Sequence, residues 1–173
     1  QGYKQTKVGI IPQDWEVVRL GDIVDFLDNY RKPLKDIDRQ KIQGIYPYYG
    51  ASGIIDYIND YIFDEELILM GEDGANIIDR NSRLIFLASG KYWVNNHAHI
   101  LKAKNSMINY YLCEYLEELK YDKYNTGTAQ PKLNKDVVSK IVVLKPPKPE
   151  QEKIAQILTL WDTAIDKQNT LIQ

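Results

Sequence analysis

A proline-rich break at residues 146–149 separates two parts of the chain that have different hydrophobic patterns. Before the break, apolar residues occur in short runs bounded by glycine and polar residues, which is typical of short strands. After the break, apolar residues recur in heptad-like steps that are typical of a coiled-coil helix. They are Ile154, Leu158, Trp161, Ile165 and Ile172. The pattern predicts an α+β fold: a mixed, β-rich domain over residues 1–148, then a long coiled-coil-type C-terminal α-helix over residues 149–173.

Two arrangements of the C-terminal helix are open. Glu150, Gln151 and Glu152 supply negative or polar side chains to its first turn, where the helix dipole favours them. The apolar stripe that follows either contacts a partner or folds back onto the chain's own domain. Because the heptad pattern is still running at residue 172, we expect a partner or a continuation of the helix.

The first part of the chain shows alternating strand and turn signals. We expect a strand from Trp15, a short helix over residues 21–27, a polar loop over residues 28–43 and a helix over residues 107–119. Glycines at 50 and 53 indicate a turn between two strands, and Asn134 is a candidate cap for a short helix. Further strands are expected over residues 67–70, 83–88, 92–101 and 141–144, with a loop over residues 125–131.

The composition is that of a globular protein, with 44% hydrophobic and 27% charged residues in a chain of 173. No apolar run approaches the roughly 20 residues that a membrane span requires. The first residues are polar, so no signal peptide is expected, and a single cysteine, Cys113, fits a reducing compartment. We therefore expect a cytoplasmic protein with no membrane partner.

The net charge of −2 argues weakly against a domain that binds nucleic acid tightly on its own, since such domains are usually basic. Charge is unevenly distributed, however. Residues 31–41 contain five basic side chains, while residues 60–73 contain six acidic ones. A basic segment of this kind attracts phosphates, but it is equally compatible with a solvated loop.

Motifs for catalysis or cofactor binding do not emerge from the sequence. Gly90-Lys91 lacks the hydroxyl residue and the first glycine of a phosphate-binding loop, and no amino-methyltransferase tetrapeptide occurs. Glu72, Asp73 and Lys91 do not have the clean spacing of a metal-dependent nuclease. His97 and His99 could begin a zinc site, but without further ligands nearby a hydrogen-bonded structural role is favoured. We predict no catalytic residue, no metal and no cofactor.

Three groups of motifs, in this order and spacing, resemble the specificity subunit of type I restriction–modification systems. The first is Ile11-Pro12-Gln13-Asp14-Trp15 with Arg19-Leu20-Gly21-Asp22. The second is Tyr48-Tyr49-Gly50-Ala51-Ser52-Gly53-Ile54 with residues 71–74 and 95–99. The third is Gly127-Thr128-Ala129-Gln130-Pro131-Lys132-Leu133-Asn134 with residues 149–155 and 160–166.

The resemblance implies a division of labour between the two parts of the chain. In such subunits a globular target-recognition domain binds one half of a split DNA site, and a long helix is a spacer and a dock for methyltransferase subunits. The restriction subunit joins through the complex. A complete subunit has two such units with antiparallel helices, whereas this sequence has one. It is therefore expected to be a fragment that has a tandem second half, or a half-subunit that forms a homodimer on a spaced palindrome.

Candidate DNA-contacting residues follow from the chemistry of phosphates and base edges. For phosphates the candidates are Arg31, Lys32, Lys35 and Lys132. For base edges they are Tyr49, Ser52, Arg80, Asn81, Arg83, Thr128 and Gln130. Motif residues such as Trp15, Gly50, Gly53 and His97 are expected to shape the fold, because motifs shared across different targets cannot set the target.

Two other functions remain open at this point. One is a catalytic nuclease or methyltransferase fragment of the same system, against which the missing motifs argue. The other is a protein-only scaffold that acts through the C-terminal helix. The loop at residues 28–43 contains the five basic side chains, and we call it the basic segment. It distinguishes the scaffold from the DNA-binding subunit, since only the DNA-binding subunit needs it.

Overall fold

The structure is a computed structural model that describes the backbone of residues 2–172 and the side chains of residues 2–171. The strands are β1 (Tyr3–Thr6), β2 (Gly9–Pro12), β3 (Glu16–Arg19), β4 (Val24–Phe26), β5 (Gln43–Gly50), β6 (Gly53–Ile58), β7 (Phe63–Asp64), β8 (Leu67–Gly71), β9 (Ile85–Ala88), β10 (Lys91–Val94), β11 (Ala98–Ala103) and β12 (Val142–Lys145). The helices are α1 (Leu20–Ile23), α2 (Asp36–Arg39), α3 (Asn76–Asp79), α4 (Asn109–Glu117), α5 (Lys135–Val138) and α6 (Lys148–Ile172).

Two four-stranded sheets form the centre of the domain. One has the order β6-β5-β10-β7 and the other β4-β11-β8-β9, and smaller pairs join β1 to β2 and β12 to β3. Strands β5 and β10 are parallel, with Trp93 opposite Tyr48, while the other pairings are antiparallel. This mixed arrangement confirms the predicted β-rich α+β domain.

Strand β8 is buried on both faces and lies at the centre of the core. Ile68 and Met70 pack in the cluster that includes α4, whereas Leu67 and Leu69 pack with Phe63 in a second cluster between the sheets. An uninterrupted apolar strand suits this position, because neither face meets water.

Three local predictions from the sequence were wrong. The strand expected over residues 92–101 is divided by a turn at residues 95–97 into β10 and β11. The helix expected over residues 21–27 is limited to α1, and the chain continues as β4, which pairs with β11. Val24 is buried and Asp25 is exposed, so this stretch follows the alternation of a strand. The segment 28–43 is also more ordered than a loop, with α2 and 3-10 turns at Asp28–Tyr30 and Gln40–Ile42.

The first turns of α6 are fixed to the domain by a buried glutamine. Gln151 is 0% exposed. Its amide accepts a hydrogen bond from Ile108 N (3.0 Å) and donates to Ser106 O (3.1 Å) and Pro146 O (2.9 Å). Trp15 Nε1 also donates to Glu150 (2.9 Å), and the Tyr110 hydroxyl contacts Asp162. Gln156 and the helical residues up to Leu171 are exposed, so the helix projects from the domain.

Candidate nucleic-acid interface

Four loops from distant parts of the sequence meet at one end of the sheets. We call residues 51–53, 71–74, 95–97 and 125–133 the loop cluster. Backbone hydrogen bonds join its members, from Glu72 N to His97 O (2.8 Å), from Leu133 N to Glu72 O (2.8 Å) and from Gly74 N to Pro131 O (3.1 Å). The second group of motifs and the first segment of the third group, residues 127–134, thus converge on a single surface.

Glycine at position 71 permits a close approach between two of the loops in this cluster. A Cβ atom there would lie 2.6 Å from the carbonyl oxygen of Ala51, which is too close for any side chain. The turn between β5 and β6 can therefore rest on the end of β8 only because this residue is glycine.

A network of charged side chains lies beneath the loop cluster. We call Asp28, Arg31, Glu72 and His99 the inner network. Arg31 Nη1 donates to Glu72 Oε2 (2.5 Å) and to Ala98 O (2.9 Å), while His99 Nδ1 lies 2.7 Å from Asp28 Oδ2. The four side chains are only 2–16% exposed. They join the 3-10 turn after β4 to three of the loops, so they fix the shape of the cluster.

His99 connects this network to the loop at residues 125–133. Its Nε2 lies 2.6 Å from Leu133 O, so both ring nitrogens face an acceptor. Both hydrogen bonds can form together only when the imidazole carries two protons. His97 lies in the turn before β11 and contacts Asp73 at 2.9 Å. The expected structural role of the histidines matches these contacts, although the two residues do not share a strand.

The carboxyl groups of the network are held in the ionised form. Burial raises the pKa of Asp28, but hydrogen bonds from His99 and Ile100 N and the charges of His99 and Arg31 outweigh it, leaving the pKa below its usual 3.8. Burial likewise opposes ionisation of Glu72, but Arg31, His99 and Lys132 lower its pKa below the usual 4.5. Each carboxylate therefore stabilises the fold at neutral pH.

Three of the predicted base-edge contacts lie on the exposed side of the loop cluster, and all three are neutral and polar. Ser52, Thr128 and Gln130 are all exposed, and we call them the outer residues. Asn125 Oδ1 closes the loop beneath Thr128 and Gln130 by accepting hydrogen bonds from Gly127 N and Lys132 N, both at 2.9 Å. These side chains are directed outward on a constrained backbone, which suits a contact surface.

The basic segment borders the loop cluster, and hydrogen bonds to its backbone hold it in place. Lys32 N donates to Val94 O (3.3 Å), Lys32 O accepts from Trp93 Nε1 (2.6 Å) and Leu34 N donates to the Tyr48 hydroxyl (2.9 Å). Lys32 and Lys35 keep their side chains exposed. Two predicted phosphate contacts are thus exposed on a segment whose backbone is held to β5 and β10.

The remaining predicted contact residues make other interactions. Lys132 is half-exposed and pairs with Glu72 (3.2 Å). Arg80 pairs with Glu117 (2.8 Å) and Arg83 with Glu114 (2.5 Å), so both guanidinium groups contact α4 and its end rather than the loop cluster. Asn81 is exposed between them. Tyr49 stacks on Phe86 at 5.7 Å between ring centroids, and burial raises its pKa.

The projecting part of α6 carries the predicted apolar stripe. Trp161 is 66% and Ile165 55% exposed, and Leu158 is also exposed, whereas Ile154 is partly buried against the domain. The side chain of Ile172 lies outside the described residues. The structure adds Ile157 and Leu171, the latter 87% exposed, to the apolar residues on this helix.

Within the part of the chain that the structure describes, no cluster of three or more histidine, cysteine, aspartate or glutamate residues is arranged to hold a metal ion. None of the described helices combines the length and apolar character that crossing a membrane requires.

Comparison with known proteins identifies the family. A family model described as type I restriction modification DNA specificity domain matches residues 12–173. The chain belongs to this family. The resemblance inferred from the three groups of motifs is therefore confirmed.

Curated relatives carry the same description. The chain is 34% identical over 139 residues to a putative type I restriction enzyme specificity subunit of Haemophilus influenzae, covering 80% of this chain and 35% of the relative. It is 31% identical over 176 residues to the type I restriction enzyme MjaVIII specificity subunit of Methanocaldococcus jannaschii, covering 94% and 39%. The chain thus spans little more than a third of these relatives. Their names agree with the prediction of a recognition subunit and not an enzyme.

Solved structures share the fold. The S subunit of a type I restriction–modification system from M. genitalium superposes with a TM-score of 0.73 at 14% identity, over 91% of this chain and 41% of that one. A structure from work on complex assembly of the type I system has a TM-score of 0.68 at 15% identity, over 93% and 41%. A β-rich domain followed by a long helix is therefore the shared architecture.

Proposed function

We propose that this chain is a non-catalytic recognition unit that binds one half of a bipartite DNA site for a type I restriction–modification complex. The observation that carries the proposal is the loop cluster, in which the outer residues stand exposed on a backbone held by a buried ionic network. Residues 1–148 are the DNA-binding unit and residues 149–173 the spacer helix. No cofactor is required for this role.

The outer residues have the chemistry that base edges require. A glutamine side chain can donate and accept at the same adenine, and serine or threonine hydroxyls can bond to several bases. The exposed Lys32 and Lys35 supply positive charge that attracts phosphates, and Lys132 adds to it from within the loop cluster. Tyr49, Arg80, Asn81, Arg83 and Arg31 stay predictions from the sequence, because their side chains are packed or lie apart from the outer residues.

Helix α6 provides the surface for protein partners. Its exposed apolar residues are too numerous for a solvated helix, and such a stripe calls for a covering partner. We assign to it the second recognition unit, supplied by a homodimer or by a tandem second half. The methyltransferase subunits dock along the same helix and recruit the restriction subunit.

The DNA-binding part of this proposal is tested by mapping the sites methylated in cells that carry the chain and the methyltransferase subunits. A defined half-site is expected, and it should appear twice in inverted orientation if the unit is a homodimer. Titrating the purified complex with a matching duplex should then show binding that a scrambled duplex does not. Equal affinity for both duplexes would contradict base recognition and favour a protein-only scaffold.

The assignment as a non-enzyme is tested with the purified chain alone. Incubation with DNA, Mg²⁺ and S-adenosylmethionine is expected to leave the DNA uncut and unmethylated. Turnover that survives further purification would instead identify a nuclease or methyltransferase fragment.

A further inference from the structure

An apolar groove lies in the corner between α4 and α6, apart from the loop cluster. It has a volume of about 260 Å³, and its walls come from Tyr111, Tyr115, Leu119, Ile154 and Leu158, with Glu114 and Glu118 at its rim. Leu158 belongs both to this groove and to the exposed stripe of α6. The groove therefore continues the stripe onto the domain.

The stripe of α6 is complementary to itself in one antiparallel register. Taking Ile154 as position a of a heptad places Trp161 and Gln168 at a, and Ile157, Ala164 and Leu171 at d. In an antiparallel pair, position a of one helix faces position d of the other. Matching Trp161 with Ala164 of a second copy pairs the largest side chain with the smallest, and this happens twice by symmetry.

The same register places the remaining apolar residues opposite one another. Ile154 faces Leu171 of the second copy, and Ile157 faces Gln168. At the flanking e positions, the residue of the second copy nearest to Leu158 is Ile165, with an offset of about two residues, or roughly 3 Å, along the helix axis. Gln151 and Leu158 occupy successive e positions, and Gln151 is buried in the domain, so the e side of α6 is the side that the domain contacts.

The size of the contact indicates that the stripe alone is small for a stable pair. Burying a large apolar side chain removes roughly 60–120 Å² of apolar surface from water. Five such side chains from each copy give on the order of 600–1,200 Å², around the lower limit of about 1,000 Å² for a specific interface. A side chain that also filled the groove would add contact area at each end.

We propose that the groove between α4 and α6 is the socket for Ile165 of a second copy of this chain, in an antiparallel pair centred on Trp161 and Ala164. Ile165 is the e residue of the second copy nearest to Leu158, which lines the groove, and it is 55% exposed in the single chain. The proposal rests on the homodimer of the proposed function, and it names the register and the seat of that homodimer.

Cysteine pairing tests the register. Cys113 is buried, so it can stay in the chain without competing for cross-links. A mixture of the Leu158→Cys and Ile165→Cys proteins is expected to form a disulfide-linked dimer, whereas either protein alone should not. Along the antiparallel helices, at 1.5 Å per residue, Leu158 lies about 13 Å from its own copy and Ile165 about 7.5 Å from its own, both beyond the reach of a disulfide, about 7 Å. Cross-linking of either single variant with itself would contradict this register.

Charge insertion tests the socket separately. Leu119→Asp is expected to raise the dissociation constant for self-association at least tenfold, because it places a carboxylate in the apolar groove. Lys120→Asp is the matched control and should change this constant little. Sedimentation equilibrium measures both, and circular dichroism checks the fold. Dimers that Leu119→Asp does not weaken would overturn the socket. A strict monomer at high concentration would overturn the pairing, while half-site binding by the assembled complex would still support the DNA-recognition proposal.

Discussion

The inner network and the outer residues occupy the same loops but differ in charge and in exposure. Asp28, Arg31, Glu72 and His99 are charged or polar, paired and almost buried. Ser52, Thr128 and Gln130 are neutral and exposed. The charges nearest this surface therefore stabilise the fold, while the outer residues, which are free to contact a ligand, are uncharged. Charge alone is therefore a poor guide to contact residues here.

Removing Arg31 should break the inner network with the largest effect. Arg31→Ala leaves Glu72 without its closest partner and Asp28 with one fewer, and both carboxylates are nearly buried. We expect the free energy of unfolding to fall by about 3–5 kcal/mol. Urea denaturation measures the loss. Lys32→Ala, which changes the exposed neighbour, should stay within about 0.5 kcal/mol, and equal losses for the two variants would contradict the distinction.

Acid should weaken the inner network without any mutation. Asp28 and Glu72 have pKa values below their usual 3.8 and 4.5, so the folded chain binds fewer protons than the unfolded chain. Their contribution is present above those usual values and is lost as the pH falls through the lowered ones. Stability followed by urea denaturation should therefore drop on acidification below about pH 4.5. Glu72→Gln should flatten this drop, and an unchanged slope would contradict the assignment.

Truncating an outer residue should affect DNA and leave the fold intact. Gln130→Ala is expected to weaken binding of the assembled complex to its half-site by about 1–3 kcal/mol if the amide contacts a base. The melting temperature should not change, because the side chain is exposed. Gln5→Ala, an exposed glutamine on β1, is the control. Binding that remains unchanged in Gln130→Ala would remove this residue from the interface.

The smallest expected effect concerns the basic segment. Replacing Lys32 and Lys35 by Ala should weaken binding about equally on all sequences. It should also reduce the slope of log K against log salt by about two, close to 0.9 per phosphate contact. Lys120 and Lys140, which are exposed elsewhere, serve as controls when changed together. A change in target sequence, rather than in salt dependence, would show that these lysines contact bases.

The fold could be predicted from the sequence where local pattern and tertiary role agree. The apolar run of β8 predicts a buried strand and the heptad spacing of α6 predicts a long helix, and the structure contains both elements. Residues 24–26 were not predicted correctly, because a stretch this short becomes a strand only through its pairing with β11. Tertiary contacts of this kind carry no local signal.

The candidate site was predictable only in part, for the same reason. Arg31 was selected for its charge, but its partner Glu72 lies 41 residues away and cannot be identified from spacing. Asn125 was missed as a closing residue of the loop, although an asparagine before Thr-Gly is a turn signal. Ser52, Thr128 and Gln130 were selected because they lie inside recognisable motifs, and their contact with DNA stays a prediction.

The buried amide of Gln151 makes α6 a lever arm. From Ala155 to Leu171 the helix extends roughly 24 Å at 1.5 Å per residue, so a tilt of roughly 10° at its base would move the tip by about 4 Å. That displacement exceeds the rise of one base pair, about 3.4 Å. If two recognition units are joined through this helix, as we propose, the angular tolerance at its base would decide whether they remain in phase with the turns of the double helix. The Gln151 hydrogen bonds and the Trp15 and Tyr110 contacts set that tolerance.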